Sequence, residues 1–222
     1  MTDNRRVVDR VSNRSVDLVF QAVDGSENFE LLYNGSVFRS TYDQALSVAF
    51  ANTILGRVKS AKAVDLLLGG LGLGDSLTQM LGFKGLRSVT VVELDEAIPK
   101  WIRKYLNAGG SLDDERTQMI IGNFTQFVDA TPKSYHGIGL DLDLGPTRLL
   151  REENRRAYSM SSLKTLASRL RSDGVLVIRA SEADSAYRRA LDEVFSEAGI
   201  REVEETNTLG DLVKGVFYVA RM

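Results

Sequence analysis

Residues 16–23 run Val-Asp-Leu-Val-Phe-Gln-Ala-Val, apolar enough and short enough for a strand. Asp24-Gly25-Ser26 marks a turn, and Phe29-Glu30-Leu31-Leu32-Tyr33 a second strand. Asn34-Gly35 is a hairpin signal, because a type I′ turn needs positive φ at both central residues. Val37-Phe38-Arg39-Ser40-Thr41 returns, so residues 16–41 are predicted to form a small antiparallel sheet. This divides the chain into an N-terminal β-hairpin segment, residues 1–42, and a main domain, residues 43–222.

From Asp43 the period lengthens. Ala45, Leu46, Val48, Ala49, Ala51, Ile54, Leu55 and Val58 follow the spacing of an amphipathic helix, with Gly56 weakening its last turn. Strands and helices then alternate. Strands are predicted over residues 63–68, 89–93, 118–121, 138–142 and 174–179, and helices over 76–81, 97–106 and 185–198. A long helical stretch follows the fourth of these strands and runs to about residue 171. Residues 201–205 and 215–220 close the pattern as two late strands, one of them an antiparallel edge strand. Such alternation means an α/β Rossmann-like fold, a mostly parallel sheet with helices on both faces. The seven-stranded arrangement of class I methyltransferases fits this order better than a pair of dinucleotide domains.

Composition narrows the function more than the fold. The 222 residues hold 43% apolar and 26% charged residues, as soluble domains do. No apolar run reaches the roughly 20 residues that span a bilayer, and no signal-type stretch follows Met1, so a cytoplasmic enzyme or binding protein is expected, without a membrane partner. Without cysteine, thiolate catalysis and Cys-based metal sites are excluded. A net charge of −2 argues against nucleic acid as a partner, since phosphate backbones need clustered Lys and Arg. The densest basic cluster, Arg151 with Arg155 and Arg156, is interrupted by Glu152 and Glu153 and reads as a solvated helix face. His136, the single histidine, begins a strand and reads as an edge residue, so no histidine chemistry and no metal are expected. Tyr33, Tyr42, Trp101 and Tyr158 stand at spacings typical of core aromatics.

The chemistry concentrates at strand ends. Leu66-Leu67-Leu68 runs into Gly69-Gly70-Leu71-Gly72-Leu73-Gly74, and glycines there let the backbone bend and approach a flat polar ligand. The next strand ends in Glu93, whose carboxylate can accept hydrogen bonds from both hydroxyls of a ribose. Gly70, Gly72 and Gly74 follow G-x-G-x-G, whereas dinucleotide sites want G-x-G-x-x-G, so a single nucleoside of the S-adenosylmethionine type is predicted. Asn123 and Phe124 end the third strand, where a short polar side chain can reach the adenine amino group and an aromatic can lie against the ring.

With these residues, the chain resembles the spermidine synthase (polyamine aminopropyltransferase) family. The residue 29–41 hairpin, the glycine turn, Val92-Glu93-Leu94-Asp95, Gly122-Asn123 and the stretch from Asp141 to Pro146 stand in the family's order. Leu170-Arg171-Ser172-Asp173-Gly174-Val175 matches the start of its fifth strand. The resemblance implies S-adenosylmethionine or its decarboxylated form as co-substrate, a small amine as acceptor, a homodimer, and a catalytic carboxylate, with Asp141 the first candidate for base or amine-orienting group and Asp143 the second. Departures accompany the match. Leu73 stands where the family has an aspartate facing the aminopropyl end, Phe38 replaces a glutamine, Asn123 replaces an aspartate, and residues 141–146 are one residue short. Losing carboxylates disfavours a doubly charged diamine such as putrescine. Aminopropyl transfer, methyl transfer, attack on the 3-amino-3-carboxypropyl carbon and a catalytically silent nucleoside-binding homologue all remain open at this level.

Overall fold

Leu66, Leu67 and Leu68 all lose contact with solvent, yet neighbours along the strand face opposite sides, Leu66 and Leu68 one way and Leu67 the other. A strand apolar on both faces has to be covered on both, and that requirement organises the molecule. The protein is described by a computed structural model at residues 5–13, 16–23, 25–106 and 109–222.

The N-terminal sheet holds β1 (Arg5–Ser12), β2 (Asp17–Val23), β3 (Phe29–Tyr33) and β4 (Ser36–Ser40), all antiparallel in that order. Asn34 and Gly35 take φ of 48° and 79°, as the I′ turn requires. Of the expected Asp24-Gly25-Ser26 turn, Asp24 lies outside the described residues. β1 was not expected from the residue pattern. Its residues, Arg-Arg-Val-Val-Asp-Arg-Val-Ser, are largely exposed, so no apolar face marks it.

The main sheet is ordered β10-β11-β9-β8-β5-β6-β7. Its strands are β5 (Val64–Gly69), β6 (Leu86–Glu93), β7 (Thr117–Ile121), β8 (Tyr135–Leu140), β9 (Leu170–Ala180), β10 (Glu197–Thr206) and β11 (Leu212–Arg221). All neighbouring pairs are parallel except β9–β11 and β10–β11. The reversed strand is therefore β11, one place in from the edge, and β10 forms the edge expected to be antiparallel. One face carries α1 (Ala45–Val58), α2 (Asp75–Leu81) and α3 (Ala97–Tyr105) through Phe50, Ile54, Leu77, Met80, Ile98 and Trp101. The other carries α5 (Phe124–Ala130), α6 (Met160–Ser168) and α7 (Ser185–Asp192) through Val128, Leu163, Leu166 and Leu191. The short α4 (Gly109–Leu112) precedes β7. Each buried Leu or Ile contributes about 1.5–3 kcal/mol relative to exposure.

The N-terminal sheet shares the first of these cores. Phe20 stacks on Trp101 and Tyr105 of α3, each at 5.6 Å between centroids. Three boundaries differ from expectation. The helix predicted after the fourth strand is instead a loop over residues 141–151, a 3-10 helix (Glu152–Tyr158) and α6, because Gly145-Pro146 interrupts the chain and Ser159 caps a new start. The fifth strand begins at Leu170, where it pairs with Tyr135, four residues before Gly174. α7 stops at Asp192, and β10 takes residues expected in its last turn. Among the described residues no helix is long and apolar enough to cross a membrane.

Candidate active site

The parallel strands β5, β6 and β8 deliver their carboxyl ends to one place, the switch point where chain connections leave β5 in opposite directions. At the end of β5, Gly70, Gly72 and Gly74 all take left-handed backbone, with φ of 86°, 58° and 91°. A Cβ on Gly70 would lie 2.3 Å from the Asp141 carbonyl oxygen, so this turn requires glycine for space as well as for conformation. Glu93 holds the turn in place. Its buried carboxylate accepts from the Leu71 N–H at 2.9 Å through Oε2 and from the Asp95 N–H at 2.9 Å through Oε1. Burial pushes the Glu93 carboxyl up from its ordinary range, and these backbone donors oppose that. One acceptor site per oxygen remains, which is what a ribose diol needs.

Asn123 caps α5. Its Oδ1 accepts from the N–H groups of Thr125 and Gln126 at 3.0 and 3.2 Å and from the Thr125 hydroxyl at 2.6 Å. The side-chain amide N–H groups are what is left for a ligand, and they suit a purine ring nitrogen rather than an exocyclic amine. Phe124 packs under the turn, where a Cβ on Gly69 would meet its ring at 2.7 Å, and it belongs to the second core. Leu73, placed by the sequence at the aminopropyl end, is buried in the first core; Gly72 is the turn residue that faces Arg39.

Arg151 corrects the solvated-face reading. Only 9% of its side chain is exposed, and it donates to Asp95 at 2.5 Å, while Arg155 and Arg156 are exposed as expected. The Tyr33 hydroxyl donates to the other Asp95 oxygen at 2.6 Å, so the hairpin, the end of β6 and the loop of residues 141–151 meet on one carboxylate. His136 lies at the opposite end of the sheet, its Nδ1 accepting from the Asp65 N–H at 3.1 Å.

Two residues apart, Asp141 and Asp143 would share one face of a continuing strand, but β8 ends at Leu140 and the two carboxylates take different partners. Asp141 is buried between two arginines. Its Oδ1 accepts from Arg39 and its Oδ2 from Arg179 at 3.3 Å, and Arg179 also donates to the Ser47 hydroxyl at 3.0 Å. Both carboxylate oxygens of Asp141 are therefore occupied by guanidiniums. Removing one partner from such a buried pair costs about 3–5 kcal/mol. Asp143 is better placed for proton chemistry. Its Oδ1 accepts from the N–H groups of Leu150 and Arg151 at 2.9 and 3.3 Å, while its buried Oδ2 has no hydrogen-bond partner. Burial pushes the Asp143 carboxyl up.

Beside these groups is a cavity of about 210 Å³, lined among others by Arg39, Asp43, Asp143, Arg179 and Lys214. Burial lowers the Arg39 guanidinium to about 10, aided by neighbouring Arg179, so it stays protonated at neutral pH. Arg39 Nε, beside Gly72, and Asp43 Oδ1 and Asp143 Oδ2, on two residues that line this cavity, are buried without partners, and the Tyr158 hydroxyl is likewise unpaired among core residues. Each unpaired buried group costs about 1–3 kcal/mol, which folded proteins rarely tolerate without use. Asp75, in the first turn of α2, is pushed up to about 6 by burial and lines a separate cleft of about 370 Å³ with Thr41, Gln44 and Leu73.

Arg39, Asp43 and Arg179 escaped the sequence reading. Arg39 and Asp43 flank a hairpin strand in a setting typical of surface residues. Arg179 does sit at the carboxyl end of a parallel strand, and that position is the signal that could have singled it out.

A glycine turn braced by an acidic strand end, on a sheet with one reversed strand, defines a class I methyltransferase-like α/β fold. A model of the spermine/spermidine synthase domain matches residues 49–194, and the chain belongs to that family. It is 35% identical over 122 residues to a polyamine aminopropyltransferase of Sulfolobus acidocaldarius, covering 52% of this chain and 38% of that one. It is 26% identical over 178 residues to the polyamine aminopropyltransferase of Saccharolobus solfataricus, covering 76% and 58%. The chain thus matches between about two fifths and three fifths of these relatives' lengths. A spermidine synthase solved with the transition-state analogue AdoDATO shares the fold with a TM-score of 0.79 at 17% identity, covering 97% of this chain and 73% of that one. The spermidine synthase of Thermotoga maritima does so at 0.78 and 16%, covering 97% and 72%.

Proposed function

We propose that the protein is an alkyl transferase that moves an aminopropyl group from decarboxylated S-adenosylmethionine to a small amine. Gly70, Gly72, Gly74 and Glu93 hold the nucleoside, with Asn123 on the purine and Phe124 supporting the turn from below. The amine nitrogen attacks the propyl carbon bonded to sulfur. The carbon–sulfur bond breaks, its electron pair stays on sulfur, and methylthioadenosine leaves as a neutral thioether. Before the attack the acceptor ammonium gives its proton to Asp143, and from there to water, which frees the lone pair, and the new secondary amine leaves as its ammonium. Because a sulfonium already leaves readily, the protein contributes mainly alignment and a free amine lone pair. Asp141 acts as a positioning residue by fixing Arg39 and Arg179.

The observation that carries this reading is the pairing of Glu93 with the glycine turn beside a cavity that contains the unpaired Asp143 oxygen. On this reading residues 1–42 wall the acceptor end and residues 43–222 bind the nucleoside. A homodimer fits the exposed Val7 and Val11 on the outer strand β1, and a monomer in gel filtration would remove that element. A cytoplasmic location is part of the same proposal. The test is calorimetric titration with methylthioadenosine, followed by mass-spectrometric detection of methylthioadenosine released from the donor in the presence of amines. Absence of nucleoside binding refutes the proposal.

A further inference from the structure

We propose that the cavity at the acceptor end takes a zwitterionic α-amino-acid group, its carboxylate on Arg39 and Arg179 and its ammonium on Asp43 and Asp143. The proposal rests on reading the adjoining glycine turn as a nucleoside site. It starts from unequal pairing. Two buried guanidiniums share the single carboxylate of Asp141, and Arg39 keeps an unpartnered Nε beside Gly72. Asp43 and Asp143 line the same cavity, and each has a buried oxygen without a donor, Asp43 Oδ1 and Asp143 Oδ2, although the Asn154 side chain also steadies the Asp143 carboxylate. The ammonium of Lys214 is already engaged by Glu204. Asp75 is close enough to feel both arginines but lines the neighbouring cleft.

A diamine could satisfy Asp43 and Asp143, yet it would bring more positive charge to Arg39 and Arg179 and leave Nε unpaired. A simple carboxylic acid would do the reverse. A group with ammonium and carboxylate on one carbon answers both sets of unpaired atoms. At about 210 Å³ the cavity has room for roughly seven water-sized groups of about 30 Å³ each, which suits a small amino acid. Two molecules can present this chemistry, an amino-acid acceptor or the methionine end of an intact sulfonium donor.

Matched ligands separate them. L-Ornithine is putrescine with one added carboxylate, and S-adenosylmethionine is its decarboxylated form with the same addition. Each pair is titrated calorimetrically into the unaltered protein, ornithine and putrescine both with and without methylthioadenosine. An ornithine preference of at least about tenfold places the zwitterion on the acceptor, and a similar preference for intact S-adenosylmethionine places it on the donor. Arg179→Gln and Arg39→Gln should abolish the preference, with Arg39→Lys restoring part of it. Equal or weaker binding of the carboxylate-bearing member in both pairs overturns the proposal. Failure of methylthioadenosine to bind overturns the nucleoside reading instead, while ornithine and putrescine alone still report on the cavity.

Discussion

Replacing Gly70 by alanine should damage both the fold and the nucleoside site, and the size of the effect can be worked out from the backbone. At φ of 86° an L-residue in left-handed backbone costs about 1–2 kcal/mol. The added methyl would also lie 2.3 Å from the carbonyl oxygen of Asp141 and 2.9 Å from its carbon, and both atoms are main chain that no side-chain rotation can move. Forcing them apart adds about 1–3 kcal/mol, the usual range for overpacking. Gly210 supplies the control, with φ of 89° and nothing within 4 Å of its virtual Cβ. Gly210→Ala should therefore show the conformational cost alone. For a chain of this size about 1 kcal/mol moves the melting temperature by about 2–4 °C. Thermal unfolding followed by circular dichroism should place Gly70→Ala roughly 2–12 °C below Gly210→Ala, and calorimetry should show lost methylthioadenosine binding only in the former. Equal melting temperatures for the two variants would refute the claim that the close approach to Asp141 sets the identity of residue 70.

Other consequences can be checked in parallel. Glu93→Gln keeps the shape but turns one acceptor into a donor facing a backbone N–H, so stability should fall by about 1–3 kcal/mol and methylthioadenosine affinity by about tenfold or more; unchanged affinity in calorimetry would count against the ribose contact. Asp75 keeps its proton in the folded protein up to about pH 6 but loses it near 3.8 when unfolded. Stability should thus decline as pH rises through that window, by up to about 3 kcal/mol, and Asp75→Asn should flatten the decline in chemical denaturation series run at each pH. Asp143→Asn should lower kcat by about 100-fold or more while nucleoside affinity holds, as steady-state kinetics and calorimetry would show; an unchanged kcat would remove Asp143 from proton transfer.

The residues that made the fold legible are those whose surroundings are local. Leu66-Leu67-Leu68 before the glycines, the Asn34-Gly35 turn and the apolar ends of β6 and β9 carry their own signature in spacing and turn chemistry. What escaped depends on partners far along the chain. The polar strand β1 is held by pairing with β2, which no periodicity within β1 announces. The helix expected after β8 looked continuous because Leu142, Leu144, Leu149 and Leu150 keep a helical supply of apolar residues. Asp143 instead holds the Leu150 and Arg151 N–H groups and fixes a loop. Asp141 was legible as a strand-end carboxylate, but its partner Arg39 lies 102 residues earlier, and no local pattern announces that pairing.

The clasp of Arg39 on Asp141 also bears on inheritance. The family match spans residues 49–194 and contains the whole nucleoside turn, Glu93 and Asn123, whereas Arg39, Asp43 and Lys214 lie outside it. The nucleoside turn thus lies wholly inside the match, while the acceptor end draws on both sides of its boundary, since Asp141, Asp143 and Arg179 fall within it. A lineage can keep its donor while a handful of changes in one hairpin and a few strand ends reverse the charge its acceptor must carry. Kinship over the central stretch speaks for the nucleoside, and the hairpin speaks for what receives the transferred group.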